Sequence, residues 1–111
     1  MQSITWDDFT KIELRVGTII AVEDFPEAKK PAYKLSVDLG EFGVKQSSAQ
    51  IVDLYTKEQL HGKQVLCVIN FPKKRIGPFE SEVLVTGLYR ANGTVVLAVP
   101  DQSVPNGAKL G

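Results

Sequence analysis

The chain has 111 residues, 43% of them hydrophobic and 23% charged, with 13 Lys plus Arg set against 13 Asp plus Glu. That mixture predicts one globular domain over residues 1–111 with a real core, and it excludes a disordered chain. The zero net charge excludes a protein held on nucleic acid by bulk electrostatics, so any such site has to be a local cluster of Lys and Arg.

The N-terminus, Met1 to Asp8, has neither a basic region nor an apolar stretch. No run approaches the roughly 18 apolar residues of a membrane helix. The chain is therefore expected to remain in the cytoplasm without membrane insertion. Thr5-Trp6-Asp7-Asp8 predicts a helix of one or two turns. Thr caps it, the acids suit its positive end, and Phe9 and Ile12 share a face.

From Glu13 to Phe25 the pattern alternates, with Leu14, Val16, Ile20 and Val22 on one side and Glu13, Arg15 and Glu23 on the other. Thirteen residues are long for a strand, and Gly17 marks the expected bend or bulge. Residues 25–31, with Pro26 and Pro31, read as a loop. Tyr33, Leu35, Val37 and Leu39 alternate with polar residues and predict a half-buried strand. A turn at Gly40-Glu41-Phe42-Gly43 leads to a second hairpin arm, Val44 to Gln50, with an unusually polar face.

Thr56 and Gln59 form a capping box and Gly62 a stop, so residues 56–62 predict a helix carrying His61, the single histidine, in its last turn. Val65 to Ile69 is apolar on both faces, as a strand covered on both sides would be. Cys67, the single cysteine, lies inside it and reads as a small buried hydrophobe. Ser81 to Tyr89 and Thr94 to Val99 predict the last strands, with Asn92-Gly93 favouring a tight primed turn. The tail from Pro100 is expected to be extended or turned. Five antiparallel strands with a short helix before the fourth describe an all-β protein with short helices: a five-stranded OB-fold Greek-key barrel.

The residue types offer no catalytic chemistry. One His and one Cys cannot supply a metal site, no glycine-rich phosphate loop is present, and the acids are scattered. No enzyme activity, metal or cofactor is expected.

Asn70 to Phe79 is the most informative segment for binding. Lys73, Lys74 and Arg75 sit between Pro72 and Pro78, flanked by Phe71 and Phe79. Pro72 stops strand continuation, so the cations are expected on a projecting loop. Cations with aromatics are the elements by which OB-folds hold single strands. Three cations on three phosphates would give a salt slope of only about −2 to −3, hence weak binding. A solvated loop fits the same residues. Lys45, Gln46, Ser47 and Ser48 form a second polar patch, read either as a ligand surface or as an ordinary solvated edge. Asn70 reads as a cap for the following loop or as part of the site.

At these residues the chain resembles the tRNA-binding-domain family. Leu14-Arg15-Val16-Gly17-Thr18-Ile19 resembles its R-V-G-x-I opening. Tyr55 to Val65 resembles Y-x-x-E-x-L-x-G-[KR]-x-V, and Asn70-Phe71-Pro72-Lys73-Lys74 resembles its N-L-x-P-[KR] loop. Within the family, Ile76-Gly77-Pro78-Phe79 and Ser81-Glu82-Val83-Leu84-Val85-Thr86-Gly87 are similar to the CsaA group of export-related chaperones. Members that bind tRNA read S-x-G-M-x-L where this chain has Ser81 to Val85. The missing Gly-Met, and Lys29-Lys30-Pro31 in place of an A-D-K-L-like run, point away from strong tRNA binding.

The resemblance implies a homodimer with Trp6 and Phe9 as interface candidates, and unfolded polypeptide or preproteins as ligands. It further implies a link to the Sec export motor, with tRNA as the alternative ligand. The residues it marks are Lys45, Gln46, Ser47, Ser48, Asn70, Phe71, Lys73, Lys74, Arg75, Phe79, Ser81 and Glu82.

Overall fold

In the computed structural model, which describes residues 1–111, the chain opens on a one-turn helix, α1 (Trp6–Thr10). Thr5 Oγ1 accepts the Asp8 amide and Asp8 Oδ2 accepts the Thr5 amide, both at 3.1 Å. That backbone hydrogen bond holds the Asp8 carboxyl below its ordinary value.

Eleven residues, Leu14–Asp24, then form β1. Its first half pairs antiparallel with β4 (Gln64–Val68) and its second half with β2 (Tyr33–Asp38), so one long strand joins two neighbours within one sheet. The expected bulge is displaced. The register with β2 runs Ile19 to Val37 and then Ala21 to Ser36, so the extra residue is Ile20 rather than Gly17. The alternation therefore changes parity along the strand. Gly17 and Ile19 face the core before the extra residue and Val22 after it, while Ile20 is exposed. Leu14 and Val16 lie on the other face, and Val16 is buried outside the main core. Gly17 is required for close approach. A Cβ there would lie 2.5 Å from Val37 Cγ1 and 2.7 Å from Leu39 Cδ2.

β2 turns through Gly40–Phe42 into β3 (Val44–Ala49). Gly40 and Gly43 have φ of 65° and 83°, the left-handed region that favours glycine. The short helix α2 (Lys57–Leu60) follows, with the Thr56–Gln59 capping box formed. Leu60 is fully buried among Ile19, Val37, Val65 and Cys67, and so closes one end of the barrel. Burial without a charged neighbour pushes the Cys67 thiol up to about 12.

The chain after β4 departs furthest from expectation. Residues 74–81 are not an irregular loop but a β-hairpin, β5 (Lys74–Ile76) and β6 (Phe79–Ser81), turning at Gly77 with φ 58°. β4 ends at Val68, ahead of Pro72, and pairing resumes at Lys74, two residues after the proline. The predicted strand from Ser81 to Tyr89 is divided among three partners. β6 pairs with β5, β7 (Leu84–Val85) with β4, and β8 (Gly87–Tyr89) with β9 (Val95–Leu97). The Arg90–Gly93 turn is not a primed one, because no residue but glycine has positive φ. Gly93, at φ 86°, donates its amide to the Arg90 carbonyl.

The five-stranded sheet has the order β3-β2-β1-β4-β7 and curls into a nearly closed antiparallel barrel, the OB-fold. The tail returns along the first half of β1, where Val16 and Gly107 to Ala108 exchange backbone hydrogen bonds of 2.7 and 3.0 Å. Asn106 Oδ1 accepts from Thr18 Oγ1 at 2.8 Å and from Gln64 Nε2 at 3.2 Å, which fixes the tail's register. No helix is long and apolar enough to cross a membrane.

Candidate binding site

Closing a five-stranded barrel requires β3 to meet the strand that follows the hairpin. Here that seam is only partly sewn. The Glu82 and Val83 amides donate to the Gln46 carbonyl at 2.8 and 3.3 Å. Glu82 Oε2 accepts the Gln46 amide at 2.9 Å, and Ser81 Oγ accepts the Ser48 amide at 3.2 Å. All four bonds end on Gln46 or Ser48. Beyond the Ser48 amide, no hydrogen bond joins β3 to β6 or β7.

The unsewn part of the seam opens into a cleft of about 810 Å³, within the size range of ligand sites. Ser48 to Asp53 form one wall and Leu84 to Gly87 the other, with Tyr89 and Val95 of the β8–β9 hairpin and Pro31 at the margins. Ala49, Ile51 and Val85 are core residues that also reach it. Lys30 and Asp53 are its only charged residues, and neither is in an ion pair.

Of the sequence-predicted residues only Ser48 lines the cleft; Gln46, Ser81 and Glu82 lie at the sewn part of the seam, and several others are used by the fold itself. Ser81, Glu82 and the Gln46 backbone make the seam. Lys73 Nζ lies 3.5 Å from Glu80 and 3.6 Å from Glu82, so it is neutralised rather than offered to a phosphate. Ser47 points inward, fully buried opposite Leu35, and its hydroxyl has no partner. It cannot touch a ligand.

Phe79 is buried too. Its ring meets Phe25 edge-on at 5.3 Å in a small second core with Ala32, and Lys34 Nζ stands 5.4 Å from the Phe25 centroid and 5.9 Å from that of Phe79. Asn70 caps a different element from the one expected. Its Oδ1 accepts the Glu13 amide at 3.0 Å and its Nδ2 donates to the Lys11 carbonyl at 2.7 Å, tying α1 to β1.

The remaining candidates are free. Lys74, Arg75, Gln46 and Phe71 have exposed side chains, Lys45 is half-buried, and the Ser48 residue lines the cleft. Lys45, Lys74 and Arg75 make no ion pair.

Sequence reasoning missed Lys30, Ile51, Leu84, Thr86 and Tyr89 as cleft residues. Tyr89, an exposed aromatic ending a strand next to an Asn-Gly turn, was the available signal. The rest are ordinary strand or loop residues whose convergence is tertiary.

Apart from the cleft, Trp6, Phe9, Ile12 and Leu110 line a recess of about 240 Å³. Trp6 and Phe9 stack obliquely at 5.2 Å, and Trp6 remains 69% exposed. No three His, Cys, Asp or Glu side chains converge as metal ligands would.

Comparison with known proteins places this geometry. Residues 14–109 match the family of the tRNA binding domain. The solved structure of chaperone CsaA from Bacillus anthracis is 46% identical, with a TM-score of 0.94 over 99% of this chain and 100% of that one. The CsaA chaperone protein from Picrophilus torridus is 48% identical, with a TM-score of 0.92 over 98% and 100% of the two chains. Methionine–tRNA ligase 1 of Bacillus anthracis is 38% identical over 98% of this chain. The chain spans only 16% of that ligase's length.

Proposed function

The chain belongs to the tRNA-binding-domain family, and from that premise we propose that it is a non-enzymatic binding module whose main ligand is unfolded polypeptide, a chaperone of the CsaA kind. The seam cleft carries this reading. It is large, its walls are mostly apolar or neutral, and its single cation is balanced by a single carboxylate. Such a lining suits a polypeptide better than a polyphosphate, which needs several uncompensated cations. The likeness to two chaperones, nearly end to end on both sides, supports the same choice. We further propose that the chain's clients are preproteins in the cytoplasm, on their way to the Sec export motor.

The test is suppression of aggregation of a thermally unfolding client protein. Aggregation should fall as this protein is added. No suppression at a several-fold molar excess would sink the reading.

A second reading is favoured by one observation, the exposed and unpaired Lys74 and Arg75. These fit weak, salt-sensitive contacts with tRNA phosphates. Gel-shift titration with bulk tRNA at low and at physiological salt separates the two readings.

We further propose that two copies meet through the Trp6 recess. Exposed apolar side chains from both termini converge there, and a symmetric partner would cover them. Sedimentation of Trp6→Glu against the parent protein tests this, with a shift to monomer expected.

A further inference from the structure

Resting on the polypeptide reading above, we infer that the cleft is a strand acceptor: an extended, uncharged, apolar segment adds along the open backbone edge that runs from Ser48, near the end of β3, to Ile51 just beyond it.

The argument begins with the backbone. β3 is antiparallel to β2 and pairs Leu35 with Ser47 and Tyr33 with Ala49. Gln46 and Ser48 direct their backbone groups the other way, across the seam. At Gln46 both groups are bonded, and at Ser48 only the amide is. The Ser48 carbonyl and the Gln50 amide and carbonyl have no partner in the fold. A sheet edge left open in this way is a template for another strand.

The edge is also bounded. Ser81 and Glu82 stand on the β3 amides at its start, so an incoming strand cannot slide past Ser48 towards Gln46. At the other end the chain turns away after Ile51. About four residues, roughly 13 Å at strand spacing, remain for pairing. The seam thus selects a short extended stretch and fixes its register at one end.

The side walls then select composition. Leu84, Val85 and Ile51 offer apolar contact, and Tyr89 stands at the margin, 84% exposed. Side chains of an added strand alternate, one set towards these walls and the other towards solvent. Lys30 alone could meet a phosphate, which limits the salt slope of nucleic acid in this cleft to about −1. A neutral peptide loses nothing on that account.

The experiment uses a fluorescein-labelled heptapeptide of alternating Val and Thr, with anisotropy as readout. Two further versions carry N-methyl groups on the odd or on the even residues only. Adding a strand directs one parity of amides at the protein, so one methylated version should lose about tenfold or more in affinity and the other should bind like the parent. Leu84→Glu should weaken the parent peptide by a similar factor. Leu88→Glu, at a more exposed leucine that does not line the cleft, should not.

Equal binding of both methylated versions, or indifference to Leu84→Glu in a folded variant, would overturn strand addition while leaving polypeptide binding intact. Failure of the unmodified protein to bind the heptapeptide, with a permanently unfolded reduced and carboxymethylated protein still bound, overturns the inference alone. Failure to bind either removes the proposed function as well. The methylation arms use unmodified protein, so a misfolded variant cannot decide the outcome.

Discussion

Glu82 and Gln46, 36 residues apart in sequence, hold each other twice: the Glu82 amide donates to the Gln46 carbonyl at 2.8 Å and the Glu82 carboxylate accepts the Gln46 amide at 2.9 Å. Here a side chain substitutes for half of a ladder. It satisfies β3 where no strand continues, and it leaves the edge beyond Ser48 open.

Glu82→Ala should therefore cost about 1–2 kcal/mol of stability, the loss of a charge-assisted hydrogen bond at a solvent-reaching part of the seam. Glu82→Gln should cost less, because its carbonyl can still accept the Gln46 amide. Urea unfolding of the two variants checks the order, and equal losses would show that the acceptor is unimportant.

Asn70→Ala should cost about 1–3 kcal/mol, because the Lys11 carbonyl and the Glu13 amide each lose a partner. Asn70→Asp should not restore it fully, since a carboxylate can accept from Glu13 but cannot donate to Lys11. Hydrogen exchange at the Glu13 amide should accelerate in Asn70→Ala and much less in Asn70→Asp.

Ser47→Ala should be neutral or stabilise by up to about 1 kcal/mol, since it removes a buried hydroxyl that bonds to nothing. Polypeptide binding should be unchanged, because the side chain faces the barrel interior. A drop in binding with a normal thermal midpoint would contradict that orientation.

Cys67 should resist alkylation at pH 8 in the folded protein and react on denaturation. Its folded value is raised from 9.0 to about 12, so the contribution to stability is complete below pH 9 and declines between pH 9 and 12 as the unfolded thiol ionises first. Cys67→Ala should remove that part of the alkaline loss. Unfolding curves of both proteins across that window supply the check.

In the tRNA titration, Lys74→Glu with Arg75→Glu should weaken low-salt binding more than Lys73→Glu does. Lys73 is already shared between Glu80 and Glu82, whereas the other two cations are unpaired. A larger effect from Lys73 would mean that its ion pairs open on binding.

Local chemistry made much of this fold readable. The cap at Thr5, the Thr56–Gln59 box, the alternation from Tyr33 to Leu39 and the two-sided run from Val65 each encode their structure within a few residues. What resisted reading is what depends on distant partners. Leu14, Val16, Ile20 and Val22 form an unbroken alternation on paper, and only the register with β2 reveals that Ile19 takes the inner place. Ser81 to Tyr89 reads as one strand because its residues all favour extended backbone, and it is divided because β5, β4 and β9 compete for it. Of the polar candidates Gln46, Ser48, Ser81 and Glu82 meet at the seam while Asn70 does not, and residue type could not tell a carboxylate that binds a ligand from one that binds β3. The cleft was hidden for the opposite reason: its walls are ordinary residues, and only an unmade set of hydrogen bonds defines it.

Ile20 gives β1 an unusual tolerance of changes in length. Removing it would leave Ile19 opposite Val37 and Ala21 opposite Ser36, with every inward side chain still inward. Removing Thr18 instead would turn Ile19 out of the core, and Ile20, no longer surplus, would take the inward place opposite Val37. The strand thus carries one residue in reserve, and a chain that lost it would keep its core and give up its curvature.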